Sequence, residues 1–186
     1  MRLFAALDLD DPAREAIVAG QASIRAAVDL ELRWVQPAQL HLTLVFFGEV
    51  SESRADAVVR SFAEPVPLPA FEITLAGLGV FPPRGAPRAL WIGVREGESL
   101  LHALHGEVAR RVRQGGLQAE EGVYRPHLTV ARFKRSRPAD RHVILRHGAF
   151  EHGIRQKIDH ATLYKSELSS GPPRYLVLAR ANLTST

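Results

Sequence analysis

Gln39-Leu40-His41-Leu42-Thr43-Leu44-Val45, and later Tyr124-Arg125-Pro126-His127-Leu128-Thr129-Val130-Ala131-Arg132, share one central pattern: His, apolar, Thr, apolar. Side chains on a β-strand alternate between its faces. His41 and Thr43 therefore project to one side while Leu42 and Leu44 project to the other, and His127 and Thr129 stand opposed to Leu128 and Val130 in the same way. Each tetrad offers an imidazole and a hydroxyl on one face and anchors itself in a core through the other. A chain of this composition carries such a tetrad by chance about 0.05 times, so two copies arise about once in a thousand comparable sequences. One strand histidine reads most simply as a half-buried residue bonded to a neighbour. A matched pair points to chemistry.

The segments around the tetrads repeat as well. Arg2 to Leu9 is a compact apolar run suited to a buried strand, and Asp10, Asp11 and Pro12 supply a helix cap with Pro in the first turn. Ala13 to Val28 then reads as a helix with Ala16, Ile17, Ile24 and Ala27 close to one face, and Leu32 to Val35 as a short strand that Pro37 breaks. In the second half, Ala89 to Val94 is a strand and Glu98 to Arg113 a helix carrying Leu100, Leu101, Leu104, Val108 and Val112 at helical spacing, closed by Gly115 and Gly116. Strand, long helix and His strand thus occur twice, over Arg2 to Val45 and over Ala89 to Phe133, as an internal duplication would produce. Residues 1–186 are expected to form a single domain of two pseudo-symmetric lobes whose His strands meet at one cleft.

Between and beyond these repeats, the first His strand runs to Phe47 and ends at Gly48, and Ser51 caps a helix reaching Phe62. Glu64 to Pro69 reads as an extended linker, Phe71, Ile73 and Leu75 as a strand, and Phe81 to Pro87 as a turn rich in Pro and Gly. Lys134, Arg135, Arg137, Arg141 and Arg146 form a basic loop just past the second His strand, passing into a helix or short strand. Such a run is most often a solvated surface; its place near the cleft also suits a polyanion. Ile158 to Tyr164 and Arg174 to Arg180 read as closing strands joined by Gly171-Pro172-Pro173.

The chain is 186 residues long, with 46% apolar and 24% charged residues, which is ordinary for a globular protein and excludes disordered and fibrous classes. A net charge of +4 and a pI near 9.9 favour anionic partners such as nucleic acid without requiring one. There is no Cys, which excludes disulfides, thiolate catalysis and Cys-ligated metals. Arg2 precedes only Leu3 to Leu7 before Asp8, Asp10 and Asp11 intervene, too short for a signal-peptide core. No apolar run is long enough to span a bilayer. A soluble cytoplasmic protein, monomeric and with no protein partner, is the expectation.

Imidazole titrates near neutrality, so one His can take a proton while a second, held protonated, gives one. Displacement in line at phosphorus needs that combination on opposite sides of the phosphate. Thr43 and Thr129, one pleat from each imidazole, are placed to donate hydrogen bonds to non-bridging oxygens, and Arg132 to neutralise charge. Strict alternation, however, puts Arg132 on the face of Leu128 and Val130, so its use requires a kink in the strand. No His-Glu-x-x-His motif, nucleophile elbow or phosphate-binding Gly-rich loop competes. His102 and His105, three apart on a helix, read as surface or packing residues. No metal and no cofactor is expected.

With Arg2-Leu3-Phe4, Trp34-Val35, Leu40 to Gly48, Phe81-Pro82, Leu90-Trp91, Pro126 to Arg132 and Leu163-Tyr164-Lys165-Ser166 in order, the chain resembles the two-histidine phosphoesterases. More narrowly it is similar to the RNA 2′,3′-cyclic phosphodiesterases of the ThpR or LigT type, also called 2′-5′ RNA ligases. The resemblance implies an α+β fold: two lobes, each an antiparallel sheet flanked by helices, with the His pair in a central cleft and no metal. It implies opening of a 2′,3′-cyclic phosphate on an RNA end or a small cyclic nucleotide to give a 2′-phosphate. His41 would be the general acid and His127 the general base. Thr43, Thr129 and Arg132 match phosphate-contacting positions, and Arg125 is a further candidate. Tyr124 and Phe47 read first as packing residues and second as candidates for stacking on a base. Two other readings stay open: 2′-5′ ligation as the working direction, and an RNA-end-binding module without turnover.

Overall fold

Residues 1–117, 122–167 and 173–184 are described by the structure, a computed structural model. The apolar run at the N-terminus forms β1 (Arg2–Leu7), whose five inner residues are buried. Asp10 then caps α1 (Asp11–Ala27), its carboxylate accepting from the Ala13 N–H at 2.8 Å. The buried face of α1 is Ala13, Ile17, Gln21 and Ile24, while Ala16 and Ala27 are exposed, so a glutamine takes a place that apolar spacing assigned to alanine. Next come β2 (Leu32–Trp34), a 3-10 turn at Pro37–Gln39, and β3 (Leu42–Glu49). Helix α2 (Glu52–Ala63) follows, then β4 (Val66–Pro69), β5 (Phe71–Phe81) and β6 (Ala89–Glu96). Gly97, at φ 83°, turns the chain into α3 (Glu98–Gln114); a Cβ there would lie 2.7 Å from the Glu72 carbonyl oxygen. The rest is β7 (His127–Phe133), the short helix α4 (Asp140–Leu145), β8 (Ile154–Ile158), β9 (His160–Glu167) and β10 (Arg174–Thr184).

Two five-stranded sheets result, in the orders β3-β1-β9-β10-β4 and β2-β7-β6-β5-β8. In each, the His strand lies antiparallel beside the strand that precedes a long helix: β3 on β1, β7 on β6. Continuing outward, β1-β9-β10 and β6-β5-β8 correspond, which is the pseudo-symmetric pair of lobes, α+β in class. One contiguous apolar core runs through both halves, from Leu3, Ala5 and Leu7 to Leu90, Ile92, Leu128 and Val130.

Two segments fall differently from their sequence reading. The proline-rich linker contains β4, which pairs parallel with β10; Pro lacks a ladder donor, and at the sheet's edge none is needed. The closing strand read from Ile158 to Tyr164 is two strands, β8 in one sheet and β9 in the other, with the chain crossing at Asp159. Of the Gly171-Pro172-Pro173 turn, Gly171 and Pro172 lie outside the described residues. No helix among the described residues is long and apolar enough to cross a membrane.

Candidate active site

The two tetrads line one cleft of about 760 Å³, with His41 and Thr43 from β3 and its approach on one side and His127 and Thr129 from β7 on the other. Both imidazoles are held in the same way. Nδ1 of His41 lies 2.7 Å from the Gln39 carbonyl oxygen, and Nδ1 of His127 lies 2.7 Å from the Arg125 carbonyl oxygen. A carbonyl only accepts, so Nδ1 carries the proton in each ring and Nε2 is the atom left to exchange protons. The ring of His41 is flanked by Phe4 at 5.1 Å and by the edge of Tyr175 at 5.3 Å; that of His127 by Phe81 at 4.9 Å and Trp91 at 6.0 Å. Gly79 makes room for Trp91: a Cβ there would sit 2.1 Å from the indole.

Arg132 reaches the cleft because β7 is bulged. In register, Trp91 faces Thr129 and Leu90 faces Ala131, so Val130 is an extra residue. Val130 and Ala131 are both fully buried, the alternation inverts, and Arg132 emerges on the His127 side. The kink that Arg132 requires is therefore present. The first strand has the same defect at the same place: Ala6 faces Thr43 and Ala5 faces Val45, with Leu44 extra. Leu44 and Val45 are buried, and Phe46 emerges on the cleft as the counterpart of Arg132. The Val130 bulge is pinned through its carbonyl, which accepts from the Val35 N–H at 2.9 Å and from Nε2 of Gln21 at 2.9 Å. Gln21 also donates to the Val35 carbonyl at 3.0 Å, and this bonding explains a buried glutamine on an apolar helix face.

Three sequence candidates are placed elsewhere. Phe47 is 6% exposed and packs in the core, because the Leu44 bulge gives the cleft-facing position to Phe46, 47% exposed. The Tyr124 ring is covered by His105, stacked on it at 4.2 Å, and its hydroxyl donates to the Thr43 carbonyl, so it braces the first His strand. Arg125 has an exposed side chain that is not part of the cleft lining, and its carbonyl tethers Nδ1 of His127. His102 and His105 sit around Tyr124, outside the cleft lining. Residues the sequence did not reveal are Phe46, Tyr175, Arg33 and Gln21. Each owes its place to register or to a partner strand, and only the odd glutamine on α1 left a local signal.

The electrostatics of the two sides differ. Burial pushes the His41 pKa down, and the Gln39 carbonyl and the charge of Asp8 only partly oppose this, while His127 adds to it. Asp8 is itself held at about 2: burial works against its ionisation, and hydrogen bonds from His160, Tyr164 and Thr162 overcome it. Among the described residues no group of three or more His, Asp or Glu side chains is arranged to hold a metal ion.

Two sheets meeting over a pair of His-x-Thr-x strands define a two-histidine phosphoesterase fold. Residues 13–169 match the sequence model of the 2′-5′ RNA ligase superfamily. The chain belongs to that family. It is 36% identical over 144 residues to the RNA 2′,3′-cyclic phosphodiesterase of Archaeoglobus fulgidus, covering 74% of this chain and 76% of the relative. It is 32% identical to the protein of the same name from Thermus thermophilus, covering 98% and 90%. Among solved structures it resembles TT0787 of Thermus thermophilus, with a TM-score of 0.77 at 27% identity, covering 98% of this chain and 97% of that one. E. coli LigT complexed with 3′-AMP gives 0.76 at 26% identity, covering 98% of both.

Proposed function

We propose that this chain hydrolyses 2′,3′-cyclic phosphate ends of RNA to 2′-phosphomonoesters by acid–base catalysis between two histidines, without a metal. The observation that carries the reading is the matched pair of imidazoles in one cleft, each with Nδ1 tied to the carbonyl two residues earlier and Nε2 left to act. The names of the relatives support the same activity. In the reaction, Nε2 of His127 takes a proton from water as its oxygen bonds to phosphorus on one side. The bond from phosphorus to O3′ breaks on the other, and Nε2 of His41 gives its proton to the departing oxygen. Thr43, Thr129 and Arg132 hold the non-bridging oxygens and the charge that builds on them. With these roles the ribose and base would take the side of Phe4, Phe46 and Tyr175, and the attacking water the side of Arg132.

The family's 2′-5′ ligation is the same displacement with a 5′-hydroxyl in place of water: His127 takes the proton of the attacking hydroxyl, O3′ departs with the proton of His41, and a 2′-5′ phosphodiester remains. The test is turnover of a short oligonucleotide ending in a 2′,3′-cyclic phosphate, with chelator present. Wild type is expected to yield the 2′-phosphate, and His41→Ala and His127→Ala each to lose on the order of 10² to 10⁴ in rate while still binding. A substrate with sulfur at the bridging 3′ position departs without a proton, and should restore His41→Ala but not His127→Ala. Binding without turnover in wild type would leave an RNA-end-binding module.

A further inference from the structure

Beside Arg132 the rim of the cleft carries a second guanidinium that the acid–base reading does not use. Arg33, on β2 at the sheet's edge, is the register partner of Arg132. Partners across an antiparallel pair share a face, with Cα atoms about 4.5 to 5.5 Å apart. The Val130 bulge that turns Arg132 to the cleft therefore turns it toward the same side as Arg33, and both line the cavity. Like charges directly opposite one another are destabilising. Among the described residues no carboxylate lies within ion-pair distance of either arginine. A cyclic phosphate carries a single negative charge, which Arg132 meets. Two facing cations without a counter-ion suit a strand that brings a second phosphate.

Resting on the hydrolysis proposed above, we infer that Arg33 holds a second, non-scissile phosphodiester of an RNA strand. That phosphate has two sources: the linkage upstream of the terminal nucleotide, or a strand whose 5′-hydroxyl occupies the attacking position beside His127. Arg33 is exposed on a three-residue edge strand, so Arg33→Gln removes the charge without touching the core, and Arg33→Lys restores it.

Binding is read first, in a His127→Ala background so that turnover does not interfere, with an oligonucleotide containing one 2′-5′ linkage and phosphates on both sides of it. Arg33→Gln is expected to lower the slope of log affinity against log salt by about 1, and Arg33→Lys to recover it. Turnover with native histidines then locates the phosphate. An upstream phosphate makes Arg33→Gln about tenfold slower in kcat/KM on a trinucleotide ending in a cyclic phosphate and unchanged on a cyclic mononucleotide. A phosphate from the incoming strand leaves both hydrolyses unchanged and slows joining to a 5′-hydroxyl trinucleotide about tenfold. An unchanged salt slope overturns the inference, as does an equal loss on the cyclic mononucleotide, which would assign Arg33 to the scissile phosphate. Wild type that turns over none of these substrates sinks the hydrolysis instead, and the salt slope still judges Arg33.

Discussion

His41 and His127 differ in surroundings although their tethers are alike. The burial of His41 lowers its pKa from the ordinary 6.5, and this sets the pH dependence of the free protein. In the proposed mechanism the pair works with one proton between the two rings, so activity falls on the acid side once both rings, the buried His41 included, carry a proton and no base remains. The acid limb of kcat/KM is accordingly expected below pH 6.5. A bound phosphate anion favours the charged ring, so the acid limb of kcat should lie higher than that of kcat/KM. An acid limb of kcat/KM at or above the ordinary imidazole value would contradict the burial of His41. At this scale the two imidazoles and two threonines singled out by the repeated tetrad all line the cleft, since each His and Thr stand only two residues apart on extended chain. Of the two readings of Phe47, packing and base stacking, the structure shows packing, because the strand between Thr43 and Phe47 is not regular.

The bulges are what convert two plain strands into a site. An extra residue at Leu44 and at Val130 buries two successive side chains and re-aims the next one, which gives the cleft Phe46 on one wall and Arg132 on the other. Helix α1 reaches across to hold the second bulge through Gln21. Gln21→Leu strips the Val35 carbonyl of that donor and leaves the Val130 carbonyl with the Val35 N–H alone. The expected cost is about 1 to 3 kcal/mol in urea unfolding. Because Arg132 depends on the bulge, KM for the cyclic phosphate should rise more than kcat falls. A variant that loses stability with KM unchanged would show that the bulge stands without Gln21. None of this was legible from periodicity, because a bulge is a property of the register between two strands. The requirement for a kink before Arg132 was the one visible trace.

Over the whole molecule, each half contributes one imidazole to the cleft, and the in-line displacement proposed here uses both in one event. The double variant His41→Ala/His127→Ala should therefore be nearly as active as the slower single variant, because the groups act as a unit. Rates that multiply would mean that each histidine works independently of the other. The duplicated order of strand, helix and His strand, with the apolar spacing and the caps, determined most elements, the two-lobed α+β arrangement and the pair of cleft histidines, because those signals are local. Tertiary structure alone decided which residues join that pair. The parallel edge strand at Val66–Pro69, the crossing at Asp159, the exchange of Phe47 for Phe46 and the pairing of Arg33 with Arg132 all depend on which strands lie side by side. That is set by how the two sheets bury a common core, through contacts between residues far apart in the chain.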